Sequence, residues 1–125
     1  VTKYVSERIV CHTVRMRRVQ NITPYQMEII NLLATFPDGR IEVRDIVVSE
    51  STELGTRIAV IWVLRGSYRG VPTYGPVTDS PIHILGASHF ELREGKILRE
   101  WRIFDEVAVL AQIMAARAAA LPRSP

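Results

Sequence analysis

The sequence predicts an α+β domain in which a curved, antiparallel or mixed sheet wraps around helices. Three observations support this fold class. Four consecutive strand-like segments follow a helix with clear start and stop signals, a second helix closes the chain, and one strand is apolar on both faces. Consecutive strands with separate helices are typical of α+β domains. Because so few helices accompany so much sheet, we expect the sheet to curl and leave a conical cavity, a natural place for a small apolar ligand.

Length and composition favour a single domain over residues 1–125. The chain has 125 residues, of which 47% are hydrophobic and 23% are charged, as in ordinary globular proteins. Its longest apolar runs are too short or too interrupted to cross a bilayer, so we expect no membrane partner. Cys11 is the only cysteine, which excludes an intrachain disulfide and a cysteine-based zinc cluster, and fits a cytoplasmic location.

The charge distribution gives little support to a nucleic-acid partner. The net charge is +3, and the densest basic cluster is Arg15, Arg17 and Arg18. Aromatic side chains do not alternate with these arginines, as they do in a platform for single-stranded nucleic acid. We therefore expect a solvated strand edge and turn here, and no nucleic acid as a partner.

The first strand is predicted over residues 4–13. Its alternation places Ile9 and Cys11 on one face and Val10 and His12 on the other.

The stretch TPYQMEIINLLATFPDG carries the signals of a helix. Thr23 is the predicted N-cap, Pro24 takes the first helical position, and Gln26 completes a capping box. Pro37 ends the helix. The apolar stripe at helical spacing consists of Met27, Ile30, Leu33 and Ala34.

Two long strands follow the helix. The first, residues 40–50, alternates at its start, with Ile41 and Val43 facing inward. The second, residues 56–68, carries Ile58, Val60, Trp62 and Leu64 on one face and Ala59, Ile61 and Val63 on the other. An antiparallel strand normally shows one polar face to water, so a strand that is apolar on both faces must be covered on both. We expect helices on one side and a second subunit or another layer on the other.

A loop, a hairpin and a helix complete the chain. Residues 69–81 are rich in Gly, Pro and Thr and form a loop long enough to have a function. Residues 82–104 form a long hairpin that turns at Glu94-Gly95. The last helix covers residues 106–119, and the terminal LPRSP is predicted to be a frayed tail.

The hairpin register decides the surroundings of Asp105. Directly paired residues share a face, and a two-residue turn places Asp105 with Ile84, Gly86, Ser88, Trp101 and Ile103. The opposite face then carries His83, His89, Glu100 and Arg102. One bulge would reverse part of this assignment, and Gly86 is a plausible place for one. An acid among apolar neighbours suits proton transfer. Aspartate is also a favoured N-cap and stands here before a helix, so both roles stay open.

The segments RIAVIWVLRGSYRG and GASHFELREGKILREWRIFDEVAVLAQI contain an ordered set of motifs. These are the W-x-L-R-G-x-x-x-G strand end, the F-x-L-x-x-G-K-I hairpin, the E-W pair, and F-D-E before an apolar stretch. FPDGRIEVRDIVV adds a similar helix exit and second strand. With this set, nearly the whole chain resembles the SnoaL-like polyketide cyclases of the nuclear-transport-factor-two-like superfamily.

This resemblance implies a cone-shaped, cystatin-like α+β barrel, usually a homodimer packed through the sheet. In catalytic members it implies an aspartate that acts as general acid/base, without a cofactor, in the intramolecular aldol closure of a polyketide ester. The position that matches this aspartate is Asp105. Family members usually begin with one or two helices that close the wide end of the cone. Because this chain starts almost at the first strand, we expect those helices to be missing from it.

Two functions stay open. In the first, an enzyme, Asp105 performs acid/base chemistry on an apolar carbonyl-bearing substrate such as a polyketide, by aldol ring closure or isomerisation. His89 is a candidate electrostatic partner of that acid. In the second, the same fold is a non-catalytic ligand-binding or dimerisation module, because a fold does not determine a reaction.

Four more residues are candidates for contact with the ligand. His12 matches a histidine often found at the end of the family's first strand, and Tyr74 in the long loop could donate a hydrogen bond to a ligand carbonyl. Trp62 and Trp101 are interpreted as core or pocket wall. The three histidines lack metal-ligand spacing, so we expect neither a metal nor a cofactor.

The doubly apolar strand also predicts assembly. One curled sheet with two helices covers only its concave side, and each large side chain left in water, such as Ile61 or Val63, would cost roughly 1.5–3 kcal/mol. A two-fold, sheet-to-sheet contact would cover this surface. We therefore expect a homodimer with residues 58–64 and part of the hairpin at its centre.

Overall fold

The computed structural model describes residues 3–53 and 55–122, which form a six-stranded sheet and two helices. The elements in chain order are β1 (Val5–Thr13), β2 (Arg17–Gln20), α1 (Ile22–Thr35), β3 (Arg40–Ser51), β4 (Gly55–Ser67), β5 (Pro81–Arg93), β6 (Lys96–Phe104) and α2 (Glu106–Ala120). The strand order is β2-β1-β6-β5-β4-β3, in which β1 and β6 are parallel and the other neighbours antiparallel. The predicted α+β class is confirmed, although the sheet stays open at β2 and β3 and does not close into a barrel.

Two faces of the sheet differ in what covers them. On the helix face, Trp62 and Leu64 of β4 lie beside residues of β5, and α2 packs on them through Val109 and Ile113. On the opposite side, the open face, Ile61 and its neighbours remain in contact with water. The exposed fractions there are 40% for Ile61, 59% for Leu85 and 63% for Ile103. The prediction that β4 carries apolar side chains on both faces is thus confirmed.

A bulge in the β5–β6 hairpin sets which side chains share a face. The turn is as predicted, but the register shifts at Leu98, which is an extra residue of β6. From there on Trp101 pairs with His89 instead of Ser88. The predicted pairs Arg93–Lys96 and Leu92–Ile97 are confirmed. Beyond them the predicted register is wrong, because side chains alternate with period two and one extra residue reverses the faces. The bulge also lies at Leu98 and not at Gly86.

Helix α1 begins before its predicted cap. It starts at Ile22, and Asn21 occupies the N-cap position with φ 71° and no side-chain cap hydrogen bond. The backbone N–H of Asn21 donates to the carbonyl of Ile9 at 2.8 Å, directly after the paired end of β2. Tertiary pairing thus fixes where the helix begins and overrides the capping signal of Thr23.

The predicted apolar stripe of α1 lies on its solvent side. Met27, Ile30 and Leu33 are all exposed. The residues of α1 that pack on the hydrophobic clusters are Tyr25, Ile29 and Leu32. Apolar residues surround most of this helix, so helical periodicity alone does not identify the buried side.

Two separate hydrophobic clusters of the described residues hold the fold together. The C-terminal cluster joins the end of α1, β4, β5 and α2. Its members are Phe36, Trp62, Leu64, Tyr68, Ile82, Ile84, Val109 and Ile113. The N-terminal cluster joins β1 and α1 through Val5, Ile9, Cys11 and Tyr25. Strand β3 is exposed along its whole length. Ile41 and Val43, predicted to face inward, do lie on the helix face, opposite Leu64 and Trp62, but they stay about half exposed.

The last helix, α2, extends one residue beyond its predicted end. Of the predicted tail, residues 123–125 lie outside the described residues. Neither helix in the described part of the chain has the length and apolar character that crossing a bilayer requires.

Candidate functional site

The apolar cavity lies between α1 and the helix face of the sheet. Its volume is about 250 Å³. Its lining is Tyr25, Ile29, Leu32, Leu33, Ile41, Val43, Val60, Trp62, Ser88, Phe90, Glu100 and Arg102. Most of these side chains are hydrocarbon, and a few polar groups converge among them. This combination is typical of sites that bind small organic molecules.

A buried polar cluster of Tyr25, Glu100 and Arg102 forms part of the cavity wall. The Glu100 side chain is 1% exposed and that of Arg102 is 11% exposed. Arg102 Nε donates to Glu100 Oε2 at 2.7 Å, and Arg102 Nη2 donates to Glu100 Oε1 at 2.9 Å. The Tyr25 hydroxyl, from α1, donates to the same Oε1. Helix and sheet are thus joined across the cavity through one carboxylate.

Burial and charge both act on the protonation of this cluster. Burial, followed by the Glu100 charge and its hydrogen bond, raises the pKa of Tyr25. For Arg102, burial alone would lower the pKa, but the Glu100 charge and hydrogen bonds outweigh it and raise the pKa. Burial and the same carboxylate raise the pKa of the nearby Cys11 thiol to about 11. At neutral pH the cavity therefore contains a neutral phenol and a cation, and Cys11 is an unreactive thiol.

The indole of Trp62 forms another wall of the cavity. Its Nε1 donates to Ser88 Oγ at 3.1 Å. Gly86 lies directly under the ring: a Cβ there would stand 2.2 Å from the nearest ring atom. Only glycine therefore allows the indole to lie flat on β5.

A second, polar cavity of about 140 Å³ lies on the β1–β2 side of α1. Its lining is Thr13, Arg15, Arg17, Glu28, Asn31, Leu32, Thr35, Thr73, Tyr74, Arg102, Phe104 and Glu106. The Tyr74 hydroxyl donates to Glu106 Oε2 at 3.0 Å, and burial followed by that bond raises the pKa of Tyr74. The hydroxyls of Thr35 and Thr73 are 2.7 Å apart and tie the long loop to α1.

The structure places Asp105 away from both cavities. Its Oδ1 accepts from the N–H of Ala108 at 2.9 Å and so caps α2. The carboxylate is exposed and borders a shallow apolar depression on the open face, beside Leu85 and Ile103. The predicted position among Ile84, Gly86 and Ser88 is wrong because of the Leu98 bulge. The predicted acid/base role of Asp105 stays a prediction.

Three other candidate residues lie on the open face. The imidazole of His12 stacks on Trp101 with ring centroids 5.7 Å apart, and His89 lies 5.5 Å from the same indole. His89 shares the face of Asp105, contrary to the predicted register, because the Leu98 bulge pairs His89 with Trp101, which lies on that face. Trp62 and Tyr74, in contrast, line the two cavities of the helix face.

Tyr25, Glu100 and Arg102 are absent from the site residues predicted from sequence. The sequence places Glu100 and Arg102 correctly on the face opposite Asp105, but that face is the one that α1 covers. The sequence does contain a signal for this pair. Opposite charges two residues apart in a strand share a face, and a buried face tolerates such charges when they are paired.

The side chains of the described residues form no group of three or more His, Cys, Asp or Glu that could hold a metal ion. The expectation that the protein uses neither a metal nor a cofactor stays a prediction.

Comparisons with known proteins give a family and a fold. The profile of one family, described as SnoaL-like polyketide cyclase, matches residues 1–113. Among solved structures, a proposed SnoaL-like polyketide cyclase from Jannaschia sp. CCS1 is similar, with TM-score 0.79, 20% identity, and coverage of 96% of this chain and 76% of that chain. The comparison with curated proteins gave no match.

Two further solved structures differ in their proposed reactions. IdmH, a proposed polyketide cyclase from Streptomyces antibioticus, has TM-score 0.76, 22% identity, and coverage of 90% of this chain and 84% of that chain. AclR, a proposed hydroxylase from Streptomyces galilaeus, has TM-score 0.69, 19% identity, and coverage of 98% and 71%. At these identities the likeness shows the fold, and a shared fold supports different reactions.

Proposed function

We propose that this chain, which belongs to the SnoaL-like polyketide cyclase family, binds a small, mainly apolar carbonyl compound in the apolar cavity and catalyses its acid/base chemistry. The reaction would be an aldol ring closure or an isomerisation. The observation that carries this proposal is the buried cluster of Tyr25, Glu100 and Arg102 in a wall that is otherwise almost entirely hydrocarbon.

The cluster supplies the groups that such chemistry needs. Arg102 and Tyr25 remain protonated at neutral pH, and they would donate to a carbonyl oxygen as it gains negative charge. Glu100 would remove a proton from the carbon next to that carbonyl. A carboxylate has about four acceptor positions. Three donors already use Glu100, two at Oε1 and one at Oε2, so one position at Oε2 remains for the proton.

The proton balance closes within the cavity. The enolate carbon formed by deprotonation attacks a second carbonyl carbon of the same substrate, and the new alkoxide takes the proton back from Glu100. In an isomerisation, the proton returns to a different carbon. The apolar walls exclude water and hold the reacting carbons close together.

Proton exchange tests the proposal without the natural substrate. We expect the protein to accelerate deuterium exchange at the α-carbon of 1-tetralone in D2O, followed by NMR. Glu100→Gln should reduce the rate by about 10²-fold or more. The matched control is Glu91→Gln, which alters a glutamate that is also buried, at 7% exposure, but lies in β5 outside both cavities. An equal loss in both variants would contradict the role of Glu100.

The same assay distinguishes Glu100 from Asp105, the acid that the resemblance implies. Asp105→Asn removes the carboxylate but keeps an N-cap residue of equal quality. If Asp105 performs the chemistry, this variant loses the exchange activity and Glu100→Gln retains it. We expect the reverse, because Asp105 lies on the open face and its carboxylate caps α2.

A second candidate function is ligand binding without catalysis. The observation in its favour is that Arg102 and Tyr25 already saturate most of the Glu100 carboxylate, as a purely structural ion pair would. It predicts that 1-tetralone binds, measured by quenching of Trp62 fluorescence, while its exchange rate stays at the rate in buffer.

We also propose that the open face pairs with a second copy of the chain. Ile61, Leu85 and Ile103 form an apolar surface of large side chains around a shallow depression. Such a surface is uncommon on monomers. A two-fold contact centred on β4 and the hairpin would bury it, together with the indole of Trp101.

A further inference from the structure

The two cavities adjoin each other beneath α1 and differ in chemistry. Arg102 and Leu32 line both of them. The apolar cavity lies on the β3 side of the helix, where Val43, Val60 and Phe90 form its walls. The polar cavity lies on the β1–β2 side, where arginine, glutamate, asparagine and threonine side chains dominate. A ligand that spans both would meet hydrocarbon at one end and hydrogen-bonding groups at the other.

The charges of the polar cavity already balance within the chain. Every arginine in its lining holds a carboxylate: Arg15 with Glu106 at 3.3 Å, Arg17 with Glu28 at 2.7 Å, and Arg102 with Glu100 at 2.7 Å. An anionic ligand group would have to displace one of these carboxylates, and a cationic group one of the guanidiniums. A neutral group can use the guanidinium N–H groups that point away from their carboxylates, since each guanidinium has five N–H donors.

Neutral hydrogen-bonding groups complete the polar cavity. The Thr35 hydroxyl is already bonded to the Asn31 carbonyl and to Thr73. Asn31 contributes an amide and Thr73 a hydroxyl. These groups both donate and accept, as ligand hydroxyls do. The rings of Tyr74 and Phe104 provide apolar surface beside them. This mixture suits a ring that carries several hydroxyls and has apolar C–H faces.

The size of the polar cavity sets the size of that ring. Its volume is about 140 Å³. An engineered protein cavity of about 150 Å³ holds benzene, so the polar cavity has room for about one six-membered ring.

We propose that the ligand is bipartite, with an apolar carbonyl-bearing body in the apolar cavity and one neutral polyhydroxylated ring, such as a glycosyl group, in the polar cavity. The inference rests on the proposed function for the first half and names the ligand's second half. The juxtaposition that carries it is the adjoining of an apolar cavity and a charge-balanced polar cavity at Arg102 and Leu32.

Two neutral coumarin ethers that differ in one substituent test the proposal. 7-Methoxy-4-methylcoumarin carries the apolar body alone. In 4-methylumbelliferyl β-D-glucoside, a glucosyl group replaces the methyl of the methoxy group. We expect the glucoside to bind at least about tenfold more tightly in titration calorimetry, the gain from one or two additional hydrogen bonds.

Variants of the two cavities should separate the two halves of the ligand. Asn31→Ala and Thr73→Val should each reduce the preference for the glucoside to less than about threefold and leave affinity for the methyl ether unchanged. The matched control, Gln26→Ala, removes an amide from the same helix but outside both linings and should keep the preference. Val43→Asp, at a half-exposed position of the apolar cavity, should weaken both ethers together.

The outcomes distinguish this inference from the proposed function. Equal affinity for the two ethers, or a preference that survives Asn31→Ala and Thr73→Val, overturns the bipartite ligand while binding in the apolar cavity stands. If neither ether binds, the proposed function fails and the bipartite ligand fails with it.

Discussion

The substitution Tyr25→Phe removes one donor from the buried Glu100 carboxylate and leaves the aromatic packing in place. Tyr25 is 4% and Glu100 is 1% exposed, so the lost donor leaves a buried acceptor with one partner fewer. Loss of a hydrogen bond to a buried charged group lowers the free energy of unfolding by about 1.5–3 kcal/mol. Because Arg102 still donates to both oxygens, we expect the lower part of this range, about 1.5–2 kcal/mol. For a chain of this length that is a fall in Tm of roughly 6–8 °C.

Alkaline pH separates this effect from a change in packing. Burial, followed by the Glu100 charge, raises the pKa of Tyr25 above its ordinary value of 10.0 on folding. Its stabilising contribution is therefore fully present below pH 10 and is lost as the pH rises above that value. The wild type should lose stability there more steeply than the variant, by up to about 1.4 kcal/mol per pH unit. Cys11 and Tyr74, whose pKa values are also raised, titrate in both proteins and cancel in the comparison.

Urea unfolding followed by circular dichroism, at neutral pH and in steps to about pH 11, measures both effects. The matched control is Tyr4→Phe, which removes a hydroxyl from a side chain that is 62% exposed. A loss of less than about 0.5 kcal/mol in Tyr25→Phe at neutral pH, no larger than that of an ordinary surface substitution, would refute the reasoning. So would equal slopes of the two proteins above pH 10.

Three further predictions use the same equipment or sedimentation. Gly86→Ala drives a Cβ into the Trp62 ring. We expect it to lower the free energy of unfolding by about 1–3 kcal/mol and to weaken the binding of 1-tetralone, and an unchanged urea midpoint would contradict this. Asp105→Ala should lower stability by about 1 kcal/mol and Asp105→Asn by much less, because asparagine also caps a helix; equal losses would show that the cap is not the reason. Ile103→Arg should give a monomer in sedimentation at micromolar concentration. The control Ile46→Arg, on the helix face of β3, should remain a dimer. A wild-type protein that sediments as a monomer would refute the proposed dimer.

Strand and helix positions follow from local sequence patterns in this chain. The hairpin turn at Glu94-Gly95, the doubly apolar strand β4 and the helix that begins after Asp105 all depend on nearby residues, and all three are confirmed. Such features are set by turn chemistry and by period-two or helical alternation. Local pattern therefore predicts where most of the elements lie.

The face on which a side chain lies is harder to predict than the position of a strand or helix along the chain. The candidate site depends on these faces. Nothing in the sequence around Leu98 marks a bulge, yet this one residue moves Trp101 and Asp105 to the open face. Likewise α1 buries Tyr25, with its hydroxyl on Glu100, instead of the more regular apolar stripe of Met27. The partner of each buried polar group comes from a distant part of the chain, so the energies that select the face are not visible in a local window.

The division of the interior into two clusters has a consequence for slow motions. The N-terminal unit of β1, β2 and α1 has its own core, and it meets the rest of the sheet along the parallel β1–β6 ladder. Opening of this unit would break the β1–β6 ladder and the contacts of α1 with Glu100 and Thr73, and it would leave β4, β5 and β6 paired. We therefore expect amide protons of residues 5–35 to exchange with solvent by a sub-global opening, at free energies below those of β4 and β5. Since α1 lines both cavities, the same opening would let a ligand that spans them enter and leave. A bound ligand should therefore slow exchange throughout the N-terminal unit.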